Sequence, residues 1–401
     1  MDLHIKLLCE SKNLDFIQAC KCGDIELIKK YLNYGVNINH KNSNGNTGFM
    51  YACSGLNIEI INLLINNDEI NHNIVNIDGF TALNLICYLY NVRYLENKML
   101  DFSMYINVIK LLILNDKINI NIPNNNGNTP FMYLCGCDNI ELLKLLIDRN
   151  VNLNNVNKYG YNCLLLSCKH LFVDSVLYLL SIKNIDVNFQ NTKTLNTALH
   201  ELCLNGDIHN KLFERLLKDK RVDANIKNKD GLNVFNMACM FMKRHIIQKL
   251  LKYNKVDVDS IDNNGNSGLM NIFNINNFIN AQELELISDI IIYSNMNIKM
   301  KNIYDVINDL LSSGRINVYI INNFGDNALS LSIKYKKHKI IELISCVYDE
   351  IDINNKNILE FIKINEYIEK NKYFKMKQKE YKLSIASDIN NLIYLCEIFN
   401  N

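Results

Sequence analysis

The chain has 401 residues, 43 Lys and Arg against 42 Asp and Glu for a formal charge of +1, and only two prolines. This balance argues against the broad basic footprint that binding to a phosphate backbone needs. The length, without any Pro/Gly/Ser-rich linker, points to a continuous stack, and the most apolar stretch, 286–293, is broken by Ser288 and Asp289, far short of a membrane span.

From the amino terminus, Asp2 and Lys6 bracket a very short apolar segment, unlike the basic lead and longer apolar core of an export signal, so a reducing, cytoplasmic setting is expected. Residues 1–39 read as a degenerate capping repeat in which Cys20, Gly23 and Ile25 to Ile28 precede Tyr34-Gly35-Val36-Asn37-Ile38-Asn39. Residues 40–350 read as an array of about eight repeats. Full copies begin near 40, 75, 123, 156, 190, 227, 261 and 321, with tip glycines at 45, 79, 127, 160, 231, 265 and 325. The shortest steps are 34 (45 to 79), 33 (127 to 160) and 34 (231 to 265), and a period near 33 means a solenoid. The longer steps, 48 from Gly79 and 60 from Gly265, place insertions near 89–105 and 276–303. Residues 351–401 read as a degenerate last repeat and a helical cap, whose Lys370 to Lys382 strip is basic and aromatic but reads as a solvated face.

Within each copy, Asn or Asp before Gly makes a tight turn in which Gly takes the left-handed conformation. Thr47, Thr81, Thr129 and Thr197 then stand where they cap the next helix. Four residues past the tip the chain is always apolar (Phe49, Leu83, Phe131, Leu164, Leu199, Phe235, Leu269, Leu329), which marks the buried face of a first helix. Eight past it, Cys53, Cys87, Cys135, Cys168, Cys203 and Cys239 share one slot on that same face, so these cysteines read as small core residues and not as disulfides or metal ligands. Leu195 in place of the tip glycine, and Asn162 and Asn233 in place of Thr, are expected to weaken their turns by about 1 kcal/mol each. The heavy use of Asn, Ile and Lys reads as codon bias and carries no structural meaning at this level.

The copy Gly127-Asn-Thr-Pro-Phe-Met-Tyr-Leu-Cys135, then Ile140-Glu-Leu-Leu-Lys-Leu-Leu146 and Val151-Asn-Leu-Asn154, resembles the ankyrin-repeat family. Its phrase is a turn ending in Gly, Thr-Pro-Leu-His, a Leu-Leu helix and a trailing Asp-Val-Asn. The resemblance implies an all-α solenoid of stacked helix-turn-helix units with β-turn or hairpin-like loops. It implies, too, a scaffold that binds a partner protein through turn tips and first-helix faces. By position in the repeat, the candidate contact residues are Lys41, Asn44, Tyr51, Tyr133, Lys158, Tyr159, Tyr161, Lys193, Lys227, Lys229, Met237, Met240 and Phe241. Tyr and Met there are plausible anchors.

The composition also resembles that of ankyrin proteins encoded in many copies by large AT-rich DNA viruses. In that setting, an adaptor that presents a bound target to host machinery such as a ubiquitin ligase, through 351–401, is the alternative. No phosphate loop of the form G-x-x-x-x-G-K-[ST], no His-Glu-x-x-His and no G-x-S-x-G occurs. A non-enzymatic monomer with an unidentified protein partner is therefore expected, with no cofactor, metal, nucleic acid or membrane.

Overall fold

The computed structural model describes residues 3–96, 101–205, 210–273, 303–334, 338–345 and 347. The insertion expected near 276–303 lies, but for its last residue, outside the described residues, as do the whole of 351–401 and the adaptor role attached to it. The described chain is helical, with no strand and a single isolated bridge between Ile261 and Ser267. It divides into two compact units, Met1–Glu201 and Leu202–Asn401.

The first unit is a series of helix pairs: Leu3–Cys22 with Ile25–Asn33, Gly48–Ser54 with Ile58–Ile65, Ala82–Glu96 with Ser103–Ile113, Pro130–Cys135 with Ile140–Asp148, and Cys163–Lys169 with Val173–Ser181. Each first helix packs on the first helix of the next pair. The first helix of the third pair runs for 15 residues, longer than its counterparts in the second, fourth and fifth pairs, and Tyr90, Tyr94, Phe102 and Tyr105 close into one aromatic cluster with ring centroids 5.3 to 6.3 Å apart. These rings cover the prolonged helix with its own apolar surface.

The second unit repeats the plan with Asn210–Leu217, Val234–Met240 and Arg244–Lys252, Gly268–Asn271 and a helix over 303–312, then Ala328–Lys334 and His338–Ser345. Arg244 Nε donates to Asp309 Oδ2 at 2.7 Å and its Nη1 to Asp305 at 3.0 Å, which anchors the 303–312 helix beside its predecessor.

Burial follows the phase set by the tips. All eight apolar residues at plus four are buried, and so are the six cysteines at plus eight. Burial pushes the thiols of Cys53, Cys87, Cys135, Cys168 and Cys239 well above the usual range, as it pushes Cys20 up to about 12. Such thiols are core atoms and poor nucleophiles.

The turns show why the helices start where they do. Thr47, Thr81 and Thr129 accept from the N–H three residues on, at 3.1 to 3.3 Å. In the copy with Thr197, His200 Nδ1 accepts from the Thr197 N–H at 3.2 Å. Asn162 and Asn233, expected to weaken their copies, instead accept from Leu165 and Asn236 N–H at 2.9 Å. The amide oxygen reaches the same donor as a Thr hydroxyl, and Asn ranks at least as high as Thr as a cap. Leu195 also departs from expectation in a specific way. It takes the left-handed conformation (φ 55°), and its turn is one residue wider, closed by Leu195 N–H to Asn191 O at 2.8 Å.

The asparagines carry structure that the composition did not suggest. Three residues before each tip stands Asn42, Asn76, Asn124, Asn157, Asn228, Asp262 or Asn322, whose side-chain oxygen accepts two backbone N–H groups of its own turn, two and four residues on. In three of them the amide NH₂ crosses to the preceding copy, from Asn76 to Asn46 (2.9 Å), Asn157 to Asn128 (2.9 Å) and Asn322 to Asn266 (2.7 Å). A second ladder joins the trailing phrases: Asn71 N–H to Asn39 Oδ1, Asn119 to Asn73 and Asn152 to Asn121 in the first unit, Asp257 to Asn225 and Asn317 to Asp259 in the second. A loop that stacks on another loop has no helix or sheet to satisfy its backbone, and side-chain amides fill that need.

Candidate recognition face

The face built from turn tips and first helices carries a row of aromatic side chains in the first unit. Tyr51 and Tyr133 occupy the same place, six residues past their tips, one turn into the first helix. Each hydroxyl is held by the turn asparagines of its own copy: Asn42 Nδ2 donates to Tyr51 Oη at 2.9 Å, and Asn124 Nδ2 to Tyr133 Oη at 2.9 Å, with Asn128 Nδ2 adding a second bond at 3.3 Å. Burial pushes the Tyr133 phenol above its ordinary pKa, with the two amides pulling the other way, so the ring stays neutral. Phe80 and Tyr88 of the preceding copy pack on Tyr133, with centroids 6.4 and 5.4 Å away.

On its other side Tyr133 borders a groove of about 360 Å³. Met132, Gly136, Leu166 and Phe172 give it apolar surface, Tyr159 and Tyr161 line it from the next turn, and Asn91 and Leu95 come from the prolonged helix Ala82–Glu96. Asn157 sets both tyrosines by accepting the N–H of Tyr159 and of Tyr161 at 3.0 Å. Lys169 Nζ lies 4.3 Å from the Tyr161 ring centroid and donates to its hydroxyl at 3.1 Å. Lys193 Nζ stands 5.6 Å from the Tyr159 centroid. His170 stacks on Phe172, and burial, then the neighbouring Lys169, hold its pKa below the ordinary imidazole value.

Where Tyr51 and Tyr133 stand in their copies, the copy after the groove has Glu201, buried, with Asn196 Nδ2 donating to it at 3.1 Å. Burial raises its pKa, opposed by Asn196 and by the field of Lys169.

The structure therefore gathers Tyr133, Tyr159 and Tyr161 in one groove with Lys193 against it, while Lys158 is exposed beside Tyr159. Tyr51, Lys41 and Asn44 lie in an earlier copy: Asn44 is exposed at its tip, its carbonyl accepting from Ile77 N–H, and Lys41 donates to Val75 O at 2.8 Å. In the second unit Lys227 does the same with Ile261 O, Lys229 is exposed, Met240 is half-buried and Phe241 is 41 % exposed. Met237 is only 3 % exposed and belongs to the core, since an unbranched apolar side chain with no polar end gains by folding into the stack.

Phe80, Tyr88, Lys169, His170 and Phe172 were not anticipated as part of this face. A signal existed, since Phe80 and Tyr161 both stand one residue past their tips and Tyr88 and Lys169 both nine, so the same two places recur with large side chains. Among the described residues no group of His, Cys, Asp and Glu could hold a metal ion, and no helix is long and apolar enough to cross a membrane.

Residues 16–104 and 99–191 match the family model of ankyrin repeats, described as three copies. Among solved structures, the chain is similar to the crystal structure of the ankyrin repeat domain of Bcl-3, described as a unique member of the IkappaB protein family. The two are 17 % identical, with a TM-score of 0.48, over 57 % of this chain and 95 % of that one. No curated protein matches the sequence. The helices have the ankyrin-repeat fold, and the same turn, cap and helix pair recur in the second unit beyond the matched span.

Proposed function

We infer, from the ankyrin repeats of residues 16–191 and the aromatic face they carry, that this chain is a protein-binding module whose contact surface includes the groove between Tyr133 and Tyr161. Repeat proteins recognise partners on the extended surface that their stacking creates. The observation that carries the reading is the fixing of the tyrosines. Asn124 and Asn128 bond the Tyr133 hydroxyl and Asn157 the backbone of Tyr159 and Tyr161, so the Tyr133 ring and the turn that carries the other two are ordered before any partner arrives. Rigid aromatic anchors lose little conformational freedom on binding and are frequent hot spots. A core role alone does not require Tyr159, which is 56 % exposed.

The test compares partners captured from cell extract by the full chain with those captured by Tyr159→Ala and by Leu166→Ser, with circular dichroism confirming that both variants fold. Loss of the same partners from both variants is expected. Partners retained at full affinity by both would remove the groove from the contact surface.

A further inference from the structure

Along the stack, the loop of one copy sits on the turn tip of the copy before it. The carbonyls of Asn44, Asp78, Asn126, Asp230 and Asn264, each one residue before its tip glycine, accept from the N–H of Ile77, Asn125, Lys158, Asn263 and Asn323 at 2.8 to 3.2 Å. A Cβ on any of those five glycines would come under 3.0 Å from the same incoming loop. The last described copy lacks this cover. Gly325 is exposed where Gly45, Gly79, Gly231 and Gly265 are buried, and no described atom lies within 4 Å of where its Cβ would be. No described N–H reaches Phe324 O. Ile321 is 61 % exposed, against 41 % for Ile261 at the same place in the covered copy before it.

The register of the chain names what belongs there. In those five pairs the donating residue stands four places after the end of a trailing phrase, at Asn73, Asn121, Asn154, Asp259 or Tyr319. Past the last described helix the sequence has one more such phrase, Ile351-Asp-Ile-Asn354, and four places on is Ile358. Ile358 comes 13 residues after Ser345, against 12 from Ile65 to Ile77 and from Ile113 to Asn125, so the connection is long enough. We propose that residues 351–358 of this chain dock on the last tip, with Ile358 N–H donating to Phe324 O. The segment covers the open end of the second unit, as the terminal repeat of a solenoid requires, and gives the tip carbonyl its donor. A second molecule would have to displace this tethered segment, whose local concentration is high. The docking does not depend on the groove.

Amide exchange of the full chain, read by mass spectrometry, tests this. The Ile358 amide should exchange at least about tenfold slower than in a free peptide of the same sequence. Gly325→Ala puts a methyl group where the segment would sit and should remove most of that protection. Gly314→Ala is the control, because Gly314 has a similar left-handed backbone (φ 65°) with no described atom within 4 Å, and it should leave the protection intact. An Ile358 amide that exchanges at the free-peptide rate, or protection that Gly325→Ala leaves unchanged, would overturn the proposal. Protection that disappears on dilution would assign the tip to the tail of a second copy and overturn it too. If Gly325→Ala fails to fold, Ile358→Pro decides. Without that N–H, trypsin should cut after Lys356 about tenfold faster than in the wild type, and an unchanged rate would refute the docking.

Discussion

Asn157 offers a measurement in which the turn ladder and the groove are probed together. Its side chain accepts the N–H of Tyr159 and of Tyr161 at 3.0 Å and donates to Asn128 Oδ1 at 2.9 Å, all in a setting where the residue is almost wholly buried. Asn157→Ala removes all three bonds and leaves two N–H groups without their acceptor. At about 1 kcal/mol net per bond the expected loss is about 3 kcal/mol. Asn157→Asp keeps both acceptor bonds and loses only the donor. The second unit shows that such a turn is sound, because Asp262 accepts from Asn264 and Asn266 N–H at 2.8 Å and from Asn266 Nδ2 at 3.3 Å. Asp at 157 should therefore cost about 1 kcal/mol, with Asn128 free to turn its amide toward the new carboxylate. Urea unfolding monitored by far-UV circular dichroism gives the two losses, and hydrogen exchange at Tyr159 and Tyr161 reports the turn directly. An Ala variant that loses less than about 1 kcal/mol, or an Asp variant as damaged as Ala, would refute the ladder as a source of stability.

Three further outcomes are expected. Gly79 has φ 80°, and a Cβ there would lie 2.5 Å from Asn125 N and Oδ1. Gly35 has φ 66° with no described atom within 4 Å of its Cβ. Gly35→Ala should cost about 1 kcal/mol of backbone strain and Gly79→Ala at least about 2 kcal/mol more in thermal melts; equal melting temperatures would deny that adjacent tips are in contact. His72 is buried with Nε2 on Ile65 O at 3.1 Å, and burial holds its pKa below that of the unfolded chain. The unfolded state therefore takes up the proton first, so stability contributed by neutral His72 is full above the unfolded value, about 6.5, and declines as pH falls through it toward the folded pKa. His72→Gln should flatten the fall in stability below that pH, and an unchanged slope would exclude His72 as its source. Arg315 donates to the carbonyls of Leu250, Leu251, Tyr253 and Val256, as Arg149 donates to those of Ile113 and Asn115. Arg315→Ala should lose about 2 kcal/mol in urea unfolding and Arg315→Lys should recover little of it, since one ammonium cannot span a fork of carbonyls; full rescue by Lys would show that charge alone matters.

The fold was legible because its signals are local and repeated. Gly79 or Gly127 needs a left-handed backbone whatever surrounds it, Thr129 stands where it can only cap the first helix of its own copy, and an apolar residue four past every tip can only face inward. Cys53 and Cys135 could be read as core atoms from phase alone, and their burial agrees. The asparagines were misjudged because their role depends on comparing copies at a fixed offset from the tip. Asn157 means little alone, but three before the tip it does what Asn42 and Asn124 do. Met237 was placed on the surface by its position in the repeat, and it is buried because its thioether has no polar end to keep at the surface.

The sequence by itself determined the period, the turn and cap chemistry and the inward face of each helix, because these arise from backbone geometry and the 3.6-residue helical repeat within a single copy. Only the tertiary structure decided which side chains of different copies meet. The groove needs Asn91 from one copy, Tyr133 from the next and Tyr161 from a third. Its shape depends on the 15-residue helix Ala82–Glu96 and on how the turns that fix Tyr133, Tyr159 and Tyr161 stack on one another. Such meetings are set by how repeats stack, and no window of the sequence shorter than the stack contains them.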